Sequence, residues 1–219
     1  YLLVSKYDGE LKKSIVEIYD LKNRKIIHKY SPDFKTIIRD SPKTKNISNL
    51  NNNFNAERYI MRHPLILKDG SLIFNSSESS LVRVNKCSKI IWINDNLFHH
   101  SKEIDDKNYI YVPLTDNKDI LSYNNLRQDS ISVLNLNGQL LEKFNVIDIL
   151  RDNNIEPFAA YSGNDPIHLN DIQPVLNDTN YWKKGDLFLS IRSLSLVVLY
   201  RPSNNKIIWH SFGPWIYQH

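Results

Sequence analysis

Short apolar stretches bounded by polar turns run along most of the chain, and their spacing predicts strands. The first 30 residues, YLLVSKYDGELKKSIVEIYDLKNRKIIHKY, are rich in Val, Ile and Tyr, with turns at Asp8-Gly9 and from Asp20 to Arg24. They read as three strands. Residues 31–56 are polar and rich in Asn and Lys, which predicts a long surface loop with a short strand at Lys35–Ile38. From Met61 onward, HPLILKDGSLIFNSSESSLVRVNKCSKIIWIND predicts four strands: Pro64–Leu67, Ser71–Asn75, Leu81–Val84 and Lys89–Ile93. A further set opens after Phe98, passes through an irregular stretch from Ile120 to Asp129, and closes with SISVLNLNGQLLEKFN. Residues Val146–Asn153 (VIDILRDN) predict one short helix, and a loop through Pro157, Gly163 and Pro166 leads to the last strands.

The pattern repeats. One hairpin recurs four times: EIYDLKNRKIIHKY (17–30), VRVNKCSKIIWIN (82–94), SVLNLNGQLLEKF (132–144) and VLYRPSNNKIIWHSF (198–212). Each is an apolar strand, a polar turn, then Lys or Gln, two aliphatics and an aromatic, His or Glu. A longer match aligns Gly70–Asn85 without gaps to Gly185–Tyr200, with apolar positions coinciding at Leu72/Leu187, Ile73/Phe188, Phe74/Leu189, Leu81/Leu196, Val82/Val197 and Val84/Leu199. A unit of four short strands cannot bury both its faces alone, but copies arranged in a ring can. The expected fold is therefore all-β: a single β-propeller domain of four-stranded blades over residues 1–219. Blades fall near 1–31, 63–94, 100–145 and 168–212, with a further one starting at 219. Trp92 and Trp209 on the outer strands are expected to pack as core between blades.

Composition narrows the classes. With 219 residues, a core of useful size forms without staples. The 28 basic against 24 acidic residues leave a net charge of +4 without any basic run interleaved with aromatics, so no nucleic-acid partner is indicated. The single Cys87 rules out an internal disulfide framework and a cysteine metal cluster. No apolar run approaches a membrane span, and no signal segment is visible. The first residue is Tyr1 rather than Met, and the last is His219, so the chain reads as a trimmed piece.

Histidine marks one position of the repeat. His63, His100 and His168 each precede an aliphatic residue by four positions (Leu67, Ile104, Ile172), and His219 closes the chain. Each stands at the start of the innermost strand, which in a propeller lines the central channel. Imidazoles converging there suit general acid–base work, nucleophilic attack or metal ligation, although no carboxylate partner for a metal is evident nearby in the sequence. His28, His99 and His210 fall outside the repeat position and read as structural. Arg192 occupies a place where the aligned copy has Ser77, and a guanidinium there can hold a sulfate, phosphate or carboxylate through paired donors. No phosphate-cradling glycine loop, nucleotide fingerprint or serine nucleophile elbow competes.

The combination HLNDIQPV, GDLFLSIRSLSLVVLYRP, NKIIW and GPWIYQH resembles the arylsulfotransferase family, the bacterial arylsulfate sulfotransferases and their relatives, most clearly over His168–His219. The resemblance implies a propeller of about six blades, no cofactor and no metal, and transfer of a sulfuryl group from a phenolic sulfate ester to another phenol. It further implies a periplasmic or exported location. Carried over by position, His219 becomes the nucleophile that is transiently sulfated, His168 and Arg192 bind the sulfuryl oxygens, and His100 is a further channel histidine with His99 as its fallback. Asn170 in the HLNDI motif and His63 join His99 as substrate-binding candidates. The insert Asn177–Lys184 departs from the shortest form of the family pattern. The competing reading is a non-catalytic propeller that binds a ligand or partner at its channel mouth; a quinone-dependent propeller dehydrogenase has no matching constellation here.

Overall fold

The computed structural model describes residues 1–41, 55–116, 127–156, 165–216 and 218, so the parts of the expected loops and irregular stretch that fall within 42–54, 117–126 and 157–164, together with Tyr217 and His219, lie outside the described residues. What is described is all-β: fifteen strands in antiparallel sheets, two short α-helices and two single-turn 3₁₀ segments. The chain divides into two compact units, Tyr1–His99 and His100–His219.

In the first unit, β1 (Leu2–Asp8), β2 (Lys13–Asp20) and β3 (Lys25–Tyr30) form an antiparallel meander. A second meander runs through β4 (Arg62–Ile66), β5 (Leu72–Asn75), β6 (Ser79–Val84) and β7 (Ile90–Phe98). Val16 and Tyr30 from the first meander close a core with Leu72, Phe74, Val82 and Val84 from the second. The Tyr30 hydroxyl, carried into this interface, donates to the Gly70 carbonyl at 2.8 Å. The expected strand at Lys35–Ile38 is instead a helix, α1 (Phe34–Arg39). Asp33 caps it, accepting from the amides of Lys35 and Thr36, and Phe34 and Ile37 fall on one buried face at a spacing of three. Four residues are too few for periodicity to separate the two states; the capping aspartate decides it.

The second unit repeats this plan. β8 (Glu103–Ile104), β9 (Ile110–Thr115), β10 (Asp129–Leu134) and β11 (Leu140–Asn145) pair in that order. The expected helix follows as α2 (Val146–Asp152), capped by Asn145, with Val146, Ile147, Ile149 and Leu150 buried. β12 (Leu169–Pro174), β13 (Leu187–Ile191), β14 (Leu196–Arg201) and β15 (Lys206–Phe212) complete it. Leu187, Leu189, Ile191, Leu196, Val198 and Tyr200 pack on α2 and Ile131 in one core.

Local geometry recurs in the four hairpins singled out by sequence. Each carries a register shift within the last three residues of its first strand, at Ile18/Tyr19, Arg83/Val84, Val133/Leu134 and Leu199/Tyr200. Each also places a left-handed residue at the close of the turn: Arg24, Ser88, Gly138 and Asn205. Three of the turns are braced by an Asp or Asn side chain, Asp20, Asn85 and Asn135, that accepts backbone amides two and three or four residues on.

Two further expectations need correction. The gapless alignment slips by one residue past its midpoint. Leu72 pairs with Val84 but Leu187 pairs with Tyr200, so Val82 corresponds to Val198 and not to Val197. The loop Arg192–Ser195 is one residue longer than Ser76–Glu78, and a shift of one inverts which face a strand residue occupies. Secondly, Trp209 is 49% exposed, because β15 is the outermost strand of its sheet, rather than packed as core.

Candidate active site

Antiparallel pairing of β12 with β13 sets the geometry around His168. Leu169 faces Ile191, so the residue before one strand meets the residue after the other, and the Arg192 amide donates to the His168 carbonyl at 3.1 Å. Ser193 bonds the Ile167 carbonyl at 3.3 Å, which locks the 3₁₀ turn Arg192–Leu194 against the start of β12. The guanidinium candidate and the imidazole candidate thus leave adjacent backbone positions.

His168 itself is left-handed, with φ of 48°. So are His100, at 53°, and His63, at 41°. This conformation is uncommon for a residue with a Cβ and is held only where the surroundings enforce it. It turns the chain sharply before each following strand. The rings of His100 and His168 lie 4.8 Å apart, edge to face at 74°. Among the described candidates these two histidines are brought together, with Arg192 beside one of them.

Asn170 sits inside the register shift of β12 and is buried. Its side-chain amide donates to the Gln218 carbonyl, while its own carbonyl accepts from Ser101 Oγ at 3.1 Å. Asn170 Oδ1 is buried without a hydrogen-bond partner. A buried amide oxygen of this kind is suited to meet a ligand donor. His63 is exposed in the first unit, and His99 is 1% exposed at the end of β7. His219 lies outside the described residues.

Five residues without an assigned role in the sequence surround this pair. Lys102 is 3% exposed and donates from Nζ to the His100 carbonyl at 3.1 Å; burial pushes its ammonium down to about 7. Burial, then the neighbouring Asp171, raises the carboxyl of half-buried Glu103. On the other side, Asp165 Oδ2 lies 2.5 Å from His168 Nδ1, and Arg127 Nη1 lies 3.6 Å from the same oxygen. Arg127 Nε donates to Asp129 Oδ1 at 3.0 Å, and Asp129 Oδ2 accepts the Leu169 amide at 2.7 Å. Asp165, three residues before His168, and Lys102, two after His100, lie close in sequence to their histidines; Arg127 and Asp129 act through tertiary placement.

A cleft of about 510 Å³ in the same unit is lined by Asp105, Tyr109, Tyr111, Glu142, Asp178 and Lys184, and contains none of the candidates. A smaller groove of about 280 Å³ adjoins the site through Asp171 and Gln218. Among the described residues, no three His, Cys, Asp or Glu side chains converge as metal ligands. No described helix is long and apolar enough to cross a membrane.

The chain is thus an all-β protein that gathers two imidazoles, carboxylates and the Arg127 guanidinium around the start of one strand, with Arg192 joined to it through its backbone. A family model described as Arylsulfotransferase (ASST) matches residues 63–219, and the chain belongs to that family. No curated protein matches it. Among solved structures, it is similar to a protein of unknown function from Bacteroides caccae at 16% identity and a TM-score of 0.37. That match covers 69% of this chain and spans 46% of the length of the other.

Proposed function

We propose that the chain is part of a β-propeller enzyme that moves a sulfuryl group from a phenolic sulfate ester to an acceptor phenol, with His219 as the covalent carrier. What carries this reading is the juxtaposition of His100 and His168, ring to ring at 4.8 Å, with Arg192 bonded through its backbone to His168. Membership of the arylsulfotransferase family supplies the chemistry that such a set fits.

In the first half-reaction the lone pair of an imidazole nitrogen attacks sulfur. The N–S bond forms, the S–O bond to the aryl group breaks, and the phenolate leaves with the electron pair. In the second half the acceptor oxygen attacks the same sulfur, and the N–S pair returns to the imidazole. Charge gathers on the sulfuryl oxygens in both steps, and fixed donors from Arg192 and His100 lower that barrier without reorganising. Substrates of this class are small molecules, an aryl sulfate and a phenol, and the reaction fits an exported, periplasmic setting.

The test is incubation of the intact protein with a chromogenic aryl sulfate and an acceptor phenol, followed by mass spectrometry of rapidly quenched enzyme. Release of the chromophore and a sulfated His219 peptide are expected, with both lost in His219→Asn. Absence of turnover together with absence of any sulfated histidine overturns the enzyme reading in favour of a non-catalytic binding propeller.

A further inference from the structure

His168 is held by more than its own strand. Its Nδ1 meets Asp165 Oδ2 at 2.5 Å, and a carboxylate can only accept, so this contact places the ring proton on Nδ1. Asp165 is in turn held from behind. Arg127 brings Nη1 to 3.6 Å from the same Oδ2 and is itself pinned through Nε to Asp129, a residue with no exposed side-chain surface. Asp129 then closes the circuit on the amide of Leu169, the neighbour of His168. Five groups therefore form a ring that begins and ends on consecutive residues: His168, Asp165, Arg127, Asp129 and the Leu169 amide. Every member lies in the second unit.

We propose that Asp165, steadied by Arg127 and Asp129, is a positioning residue that fixes His168 as the Nδ1–H tautomer and turns Nε2 toward the substrate as a proton carrier. A histidine that only binds sulfuryl oxygens needs an N–H aimed at them. With Nδ1–H committed to Asp165, the neutral ring offers a lone pair at Nε2 and not a donor. Nε2 then accepts the acceptor phenol's proton as that oxygen bonds to sulfur and the carrier N–S bond breaks. In the opposite half-reaction the proton passes from Nε2 to the departing phenolate. The proton taken up in the acceptor half stays on Nε2 of the unsulfated enzyme, where the ring is an imidazolium facing Asp165, and leaves with the phenolate in the next donor half; the neutral Nδ1–H ring is the form in the sulfated enzyme, and the cycle balances without any further reactant. A carboxylate behind an imidazole does this by orienting the ring and selecting its tautomer, as in hydrolytic triads. The catalytic part of the proposal rests on the sulfuryl-transfer reading; the tautomer part does not.

The experiment separates the two. The intact protein is labelled with ¹⁵N-histidine, the His168 ring is assigned with His168→Gln, and ring nitrogen shifts are compared with those of Asp165→Ala and the near-isosteric Asp165→Asn. The expected result, read at a pH high enough for the ring to be neutral, is an Nδ1-protonated ring in the parent and a shift toward Nε2–H in both variants. Turnover of aryl sulfate is expected to fall roughly 100-fold or more in kcat, with KM little changed and the pH–rate profile displaced. An Nε2–H ring in the parent, or a tautomer indifferent to both substitutions, overturns the proposal. A tautomer that switches as expected in a protein with no sulfuryl-transfer activity upholds the Asp165–His168 pairing and overturns the catalytic role assigned to it.

Discussion

Lys102 places an ammonium where water does not reach, its Nζ tied to the carbonyl of His100. Burial lowers its proton affinity from the ordinary 10.5 to about 7 in the folded chain. Between those two values the unfolded chain holds a proton that the folded chain lacks, so folding stability contributed by this group rises as pH increases through that window. Below about 7 the lysine is charged in both states, and the full desolvation penalty is felt. Lys102→Met is expected to flatten the rise in urea midpoint between about pH 7 and pH 10 that the parent shows. A parent whose midpoint does not rise over that range contradicts the assignment. At this scale the sequence was partly legible. His100 and His168 announced themselves by recurring four residues ahead of an aliphatic, and Arg192 by breaking a repeat. Lys102, Arg127 and Asp129 gave no such signal, because a buried lysine and a pinned arginine look like any surface charge until strands distant in sequence meet around them. The slipped alignment has the same root: one extra residue in the Arg192 loop cannot be counted where both candidate registers present apolar side chains.

Among the elements, α2 depends on the residue that caps it. Asn145 accepts the Asp148 amide at 3.2 Å and donates to Gln128 at 2.7 Å, so it both caps the helix and ties it to the start of β10. Asn145→Ala is expected to cost about 1–2 kcal/mol in urea denaturation, with Asn145→Asp losing less. The β13–β14 hairpin has a different brace. Asp186 is 1% exposed and receives both Nε and Nη2 of Arg201 at 2.7 Å, together with the Lys183 amide. The Arg201 guanidinium, outweighing the cost of burial, holds the Asp186 carboxyl below its ordinary 3.8. A lowered folded value means that its contribution is complete above the ordinary carboxylate range and is lost as pH falls through the folded value. Asp186→Asn should therefore destabilise the protein at neutral pH and leave a shallower acid limb in its unfolding profile. A steeper acid limb than the parent's excludes that role. Strand content and the α2 helix could be read from alternation and length; α1 could not, because six residues carry too little pattern and its capping aspartate acts by geometry.

Across the whole molecule, burial is concentrated in two cores, one in each unit, and exposed apolar residues gather on outer strands. Leu189→Ala, at a 1% exposed site, is expected to cost about 2–5 kcal/mol, whereas Trp209→Ala, at a 49% exposed site, should cost far less. Equal losses in a denaturation series would mean that Trp209 is covered in solution. The three left-handed histidine corners have a consequence of a different kind. A backbone at positive φ favours glycine, so the chain carries a standing conformational cost at His63, His100 and His168 for side chains that stability alone does not require. Replacing an exposed corner by glycine releases that cost, and His63→Gly should be neutral or gain up to about 1 kcal/mol in thermal unfolding. The same relief at His168 comes with the loss of its bond to Asp165. Stability gained on deleting a histidine then becomes a ruler for how far that corner serves chemistry instead of architecture.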